Sequence, residues 1–184
     1  MRTVELRRHA ERDGDEDLTP RGLAQALRAR ETLALPYDAY HVSPAKRARL
    51  TMAAFGIEDA TVEERIAPRP KPPFARFGSR HKELMAAGMD HVSAWFAIPG
   101  CVPMLLENGR TALAGVLAIA AKLPDGARAL AVSHGGTIEP LAVAATGRSF
   151  EDLFGRRELG YCEGIRATVR DGSLRDVEVV RLRR

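Results

Sequence analysis

Two histidines and two arginines stand where strands are expected to give way to loops and helices. Arg8 and His9 end the alternating stretch Val4-Glu5-Leu6-Arg7. Arg47 lies in the first turn of a helix opened by Ser43-Pro44. His134 follows the apolar run from Ala127 to Ser133 and leads into Gly135-Gly136-Thr137. In open α/β sheets, ligands bind just beyond the carboxyl ends of the strands. Arginine offers a planar fork of donors to phosphate or carboxylate, and a histidine can be a nucleophile or a proton carrier near neutral pH. A helix N-terminus favours an anion, and two glycines let backbone amides approach it closely. An Arg-His pair by itself is common. The chemistry requires Arg8, His9, Arg47 and His134 to meet around one anion.

The elements that would bring them together can be read in order. Val4 and Leu6 alternate with Glu5 and Arg7, the period of a strand. If that strand is covered on both faces, Glu5 and Arg7 share a buried face and need partners. The polar segment Ala10 to Asp17 reads as a loop. Thr19-Pro20 gives an N-cap and a first-turn proline, with Leu23, Ala26, Leu27 and Leu33 as the apolar stripe and Pro36 as the stop. Ala39 to Val42 is a short strand. Ser43 is expected to cap a second helix running through Ala48, Met52 and Phe55 to Gly56. Lys46 and Arg49 flank Arg47 there.

Thr61 to Arg80 is irregular, because Pro68, Pro70, Pro72 and Pro73 interrupt it. Arg65, Arg69, Lys71, Arg76, Arg80 and Lys82 crowd this stretch. One helix is expected through Leu84, Gly88, Val92, Trp95 and Phe96, then a loop from Pro99 to Gly109. A helix over 110–123 carries Leu113, Val116, Leu117 and Ala120 as its core stripe. The strand Ala127 to Ser133 is followed by a helix from Ile138 to Thr146, with Thr137 as its cap and Gly147 as its end. Asp171-Gly172 joins two closing strands as a hairpin. Helices alternating with strands imply an α/β sheet covered by helices, with residues 1–184 as one domain and an irregular loop at about 61–80.

Composition narrows the classes. The 184 residues carry a formal charge of +4, with 28% charged and 5% aromatic residues. The basic residues, including the Arg181-Leu182-Arg183-Arg184 tail, are interleaved with acids, and aromatics are few, which argues against a nucleic-acid binder. The longest apolar run, Ala112 to Ala121, is short for a membrane span. The two cysteines, Cys101 and Cys162, have no metal-type spacing. With no apolar leader after Met1, a cytoplasmic protein is expected.

At this point the sequence resembles the histidine phosphatase superfamily, also called phosphoglycerate-mutase-like. The resemblance rests on Leu6-Arg7-Arg8-His9-Ala10-Glu11, on Leu18-Thr19-Pro20-Arg21-Gly22 with Gln25-Ala26, on Ser43-Pro44-Ala45-Lys46-Arg47-Ala48-Arg49-Leu50-Thr51, and on Val132-Ser133-His134-Gly135-Gly136-Thr137-Ile138. It covers about half of the chain, and four motifs in order are far more specific than any one. His-Gly-Gly points to the mutase-like branch, away from the acid phosphatases and phytases. The small bacterial phosphatases, including phosphohistidine phosphatases, look most similar.

The resemblance implies a three-layer α/β/α sandwich with a mostly parallel central sheet. It implies in-line attack on phosphorus by His9, giving a phosphohistidine. Arg8, Arg47 and His134 would hold the nonbridging oxygens, where transition-state charge spreads. No cofactor or metal is implied.

A general acid must still protonate the leaving oxygen. The family usually takes it from a glutamate after the second helix, and its common Phe-Gly-x-Trp-Glu-Gly pattern is absent here. Glu64 matches best by order. Glu63 and Glu83 are substitutes, and some short members lack the acid. Ala10 also replaces the family's glycine.

His41, His81 and His91 have no such partners and are expected to be structural or solvated. The short chain favours hydrolysis over a mutase-type phosphoryl transfer. The expected substrate is an anionic phosphorylated metabolite or a phosphoprotein, and the basic stretch suggests charge beyond the phosphate cleaved. A noncatalytic phosphate-binding member remains the alternative. Neither nucleic acid nor membrane is an expected partner, and a monomer and a homodimer both remain open.

Overall fold

Alternation along two adjacent strands decides the layers of the molecule. The computed structural model describes residues 1–14, 16–68, 72–155 and 157–182. β1 (Arg2–Arg8) sends Val4 and Leu6 to one face, where they join Ala129 and Ala131 of β4 (Arg128–Ser133). α5 (Val102–Lys122) and α6 (Gly135–Thr146) cover that face, with Val116, Ile119, Ile138 and Leu141 in the same apolar cluster. On the other face, Leu130 and Val132 pack against Ala26 and Ala29 of α1 (Pro20–Arg30) and Ala48 and Met52 of α2 (Lys46–Ala54). A sheet with helices on both faces must be largely apolar on both, as it is along β4.

The sheet has six strands in the order β3-β2-β4-β1-β5-β6, with β2 spanning Ala39–Val42 and β3 Thr61–Val62. β3, β2, β4 and β1 run parallel. β5 (Gly164–Arg170) and β6 (Ser173–Val180) add an antiparallel hairpin. Its turn places Asp171 and Gly172 at φ 52° and 70°, the left-handed values a tight hairpin requires.

The charged face of β1 is satisfied internally. Arg7 Nε donates to Glu5 Oε1 at 2.7 Å, and Arg166 reaches Glu5 Oε2 at 3.2 Å from β5. Arg7 Nη1 also donates to the Cys162 carbonyl at 3.2 Å. A buried guanidinium and carboxylate are tolerated because each has a partner.

Several expectations are corrected. α1 ends at Arg30, and it buries Gly22, Ala26 and Ala29 while Leu23 and Leu27 are 46% and 48% exposed. The small residues face inward because the loop after β1 lies tight on the helix: a Cβ on Gly22 would sit 2.0 Å from the Glu11 carbonyl oxygen. Glycine at φ 95° on Gly88 breaks the expected single helix into α3 (Gly78–Ala86) and α4 (His91–Phe96). The 61–80 stretch holds strand β3 and 3-10 turns at Glu64–Ile66 and Pro72–Phe77. Arg69, Pro70 and Lys71 of that stretch, and Arg183 and Arg184 of the tail, lie outside the described residues.

α5 begins at Val102, not Arg110, and Leu105 and Gly109 extend its buried stripe. It is long and apolar enough by composition to cross a membrane. Here it packs on α6 so closely that a Cβ on Gly109 would stand 2.2 Å from the Pro140 carbonyl oxygen. The short helix α7 (Phe150–Phe154), opened by a Ser149–Asp152 capping box, was not anticipated. Cys101 and Cys162 are both buried and free.

Candidate active site

Register assembles the site. Val42 pairs with Val132, and Arg8 pairs with Ser133, all in parallel strands. The residues that follow, Ser43, His9 and His134, therefore leave three adjacent strands at one level. The imidazoles of His9 and His134 lie 5.1 Å apart, centroid to centroid, and both are buried.

Ser43 does not cap α2 as expected. Its Oγ stands 2.8 Å from His134 Nε2, and the N-cap residue is Ala45, which makes no side-chain cap bond. α6 likewise begins one residue after His134, which is its N-cap, and Thr137 sits inside the first turn. That start brings the helix N-terminus directly against the imidazole pair.

The hydrogen bonds determine where the ring protons are. His9 Nδ1 is 2.7 Å from the Ala10 carbonyl oxygen, which can only accept, so Nδ1 carries the proton. Nε2 of His9 is then an open lone pair. Arg47 Nε donates to it at 3.1 Å and also to His134 Nδ1 at 3.2 Å. His134 therefore carries its proton on Nε2 and donates to Ser43 Oγ. Burial pushes the His9 pKa down to about 3, with the Ala10 carbonyl opposing and Arg47 adding. Burial and then Arg47 push His134 down to about 2. Both rings are neutral near pH 7, as a nitrogen nucleophile needs.

Arg8 approaches from the side of β5. Its Nη1 bonds Glu158 at 2.8 Å and the Leu159 carbonyl, and its guanidinium lies 4.7 Å above the Tyr161 ring. The Tyr161 ring is 6.0 Å from His9. Behind Arg8, Glu139 of α6 is fully buried, and its Oε1 accepts from the Leu159 amide at 2.7 Å. Burial pushes this carboxyl up to about 8, against the Leu159 bond.

The structure thus brings Arg47, His9 and His134 into contact, with Arg8 beside them. It shows no hydrogen bond between the expected acids and these groups among the described residues. Glu64 is exposed and makes no hydrogen bond or ion pair with His9, Arg47 or His134 among the described residues. Glu63 is forked onto Arg65 at 2.6 and 2.8 Å, and Glu83 bonds Arg80 at 2.9 Å. Arg65 and Arg80 are therefore occupied by acids of their own segment. The remaining histidines are away from the site: His81 stacks on Trp95 with centroids 3.9 Å apart, and His41 is buried in β2.

A carboxylate the sequence reading passed over does reach the site. Glu16, in the loop between β1 and α1, forms an ion pair with Arg47 Nη1. Ser43, Glu158 and Tyr161 were also passed over. Nothing local marks them as functional, whereas Glu139 could have been suspected as a lone charge in an otherwise apolar helix.

Two neutral imidazoles share one guanidinium at the strand ends of a mostly parallel α/β sheet, where ligands of such sheets bind. The chain matches the family model of the histidine phosphatase superfamily (branch 1) over residues 3–179. It belongs to that superfamily. Among solved structures, a phosphoserine phosphatase of Entamoeba histolytica, in complex with 3-phosphoglyceric acid, matches with a TM-score of 0.70 at 16% identity, covering 99% of this chain and 98% of that one. A mycobacterial glucosyl-3-phosphoglycerate phosphatase complexed with VO3 matches with a TM-score of 0.68 at 18% identity and 98% of both chains. YhfR of Bacillus stearothermophilus gives 0.68 at 20% identity and 95% of both chains. At these identities the likeness is one of fold. A search of curated protein sequences found no significant match.

Proposed function

We propose that the protein is a metal-independent phosphomonoesterase working through a phosphohistidine on His9. One observation carries the reading: the Ala10 carbonyl holds the His9 proton on Nδ1, leaving Nε2 unprotonated beside Arg47 and His134. A phosphoryl group arriving at Nε2 meets Arg47 and Arg8 with its nonbridging oxygens, and these cations are in place before the charge develops. His134 can donate to the same group if its proton moves to Nδ1. Ser43 supports either tautomer, because a hydroxyl both accepts and donates.

The substrate is a small phosphorylated metabolite or a phosphoprotein, and the enzyme acts in the cytoplasm. The solved relatives are named for phosphoserine and for a glucosylated phosphoglycerate, which favours a metabolite. Phosphorylated metabolites and a phosphohistidine peptide should be offered to wild type and His9→Ala. Turnover and a trapped, acid-labile phosphohistidine in wild type alone are expected. Equal turnover by His9→Ala would sink the mechanism. A second reading, a noncatalytic phosphate binder, is favoured only by the lack of a hydrogen bond between Glu64 or Glu83 and the imidazoles among the described residues. It requires vanadate binding with no turnover.

A further inference from the structure

None of the glutamates expected to protonate the leaving oxygen hydrogen-bonds to His9, Arg47 or His134 among the described residues. We propose that Glu16 is that catalytic acid, delivered by the loop between β1 and α1. The inference rests on the phosphohistidine reading above.

Geometry comes first. Glu16 Oε1 sits on Nη1 of Arg47, whose Nε touches His9 Nε2 at 3.1 Å and His134 Nδ1 at 3.2 Å. One guanidinium thus separates this carboxylate from the nucleophile. A phosphoryl group bound by Arg47 and aligned with His9 has Glu16 as its neighbour.

The surrounding carboxylates are engaged elsewhere. Glu158 has one oxygen on Arg8 and the other on the Val92 amide. Glu139 is sealed in the core. Glu11 holds Thr19 and Arg21. The Glu16 side chain is 35% exposed, so it can exchange protons with solvent and meet a departing alcohol.

The loop is built to hold it there. Glu16 adopts φ 72°, a left-handed conformation that a residue with a Cβ enters only at a cost. Such an outlier at a candidate site is itself a pointer to function. Its amide bonds the Asp13 carbonyl at 3.3 Å, the Arg12–Leu18 bridge closes the loop base, and Lys46 ties the adjacent Asp17 to α2 at 2.8 Å.

In the empty site the carboxylate neutralises Arg47. When an ester dianion takes the guanidinium, Glu16 is released from Arg47 and enters the step carrying a proton drawn from solvent. The His9 Nε2–P bond then forms as the P–O bond breaks, and the Glu16 proton passes to the leaving oxygen. In the second half, the carboxylate takes a proton from water, the water oxygen bonds to phosphorus, and the N–P bond breaks. Inorganic phosphate, neutral His9 and protonated Glu16 result.

The test compares kcat/KM for p-nitrophenyl phosphate and an aliphatic phosphomonoester in wild type, His9→Ala, Glu16→Gln and Glu64→Gln. This constant covers only steps through loss of the alcohol, so it isolates leaving-group protonation. Glu16→Gln should lose about 10²-fold or more on the aliphatic ester. It should lose far less on the nitrophenyl ester, whose leaving group needs no proton. Vanadate binding by Glu16→Gln checks that the site is still folded. An equal loss on both esters, no loss, or a leaving-group-dependent loss in Glu64→Gln instead would overturn the assignment, with wild type still acting through His9. A wild type with no turnover and no phosphohistidine overturns the phosphatase reading, and the acid with it.

Discussion

Arg47 Nε lies 3.1 Å from His9 Nε2, so the lone pair of the proposed nucleophile rests against the cation proposed to bind its substrate. The same N–H is shared with His134 Nδ1. On the proposed mechanism a phosphoryl group displaces this contact, and the guanidinium turns its donors onto the phosphoryl oxygens. The cation is therefore held in position before the substrate arrives.

Arg47→Lys keeps the charge and loses the fork. A single ammonium cannot serve both imidazoles and the phosphoryl oxygens in the same plane. Loss of one preorganised donor of this kind costs about 10²–10³-fold in kcat, and steady-state kinetics will show whether Lys falls in that range.

The two active-site rings should not titrate where histidines usually do. Their pKa values are pushed down to about 3 for His9 and about 2 for His134, by burial first. In the unfolded chain both protonate near the ordinary value of roughly 6.5. Their contribution to stability is therefore present above that pH and is lost as pH falls towards the folded values. Nitrogen-15 imidazole spectra from pH 5 to 8 should show both rings neutral throughout. A His9 or His134 resonance moving with a midpoint near 6.5 would contradict this.

Ser43→Ala removes the acceptor 2.8 Å from His134 Nε2. A buried donor left without a partner costs about 1–3 kcal/mol. A fall in thermal stability is expected, together with a mixed His134 tautomer in the same spectra. Unchanged tautomer signals would show that Arg47 alone fixes the ring.

Glu139 gives the opposite slope. Its folded pKa is raised to about 8 by burial, above the ordinary carboxylate value. Its contribution to stability is complete at low pH and is lost as pH rises through about 8. Glu139→Gln keeps an acceptor for the Leu159 amide and has no proton to lose. Denaturation midpoints of the variant should therefore fall less than those of wild type between pH 5 and 8.5.

Local chemistry legible in the chain reached a long way. Thr19 accepts from the Gly22 amide at 2.9 Å as a cap residue before proline should, and Gly147 ends α6 at φ 69°. Period-two alternation placed β1 and the closing hairpin, and an apolar run placed β4. Helical periodicity misjudged the inner face of α1, where small residues face inward and Leu23 and Leu27 are exposed. His81 and His91 show no partnership in the sequence. Folding at Gly88 brings their rings to 4.7 Å.

By itself, the sequence determined which residues could meet a phosphate, because Arg8-His9, Arg47 and His134-Gly135-Gly136 each follow a recognisable strand and open a loop or helix. Only the tertiary structure decided how they are poised. The parallel register of β2, β4 and β1 sets His9 and His134 5.1 Å apart, and the folded loop after β1 brings Glu16 onto Arg47. Ring tautomers, depressed pKa values and the choice of acid depend on groups distant in the chain. Burial and hydrogen-bond direction arise only when those groups are packed together, and no local pattern encodes them.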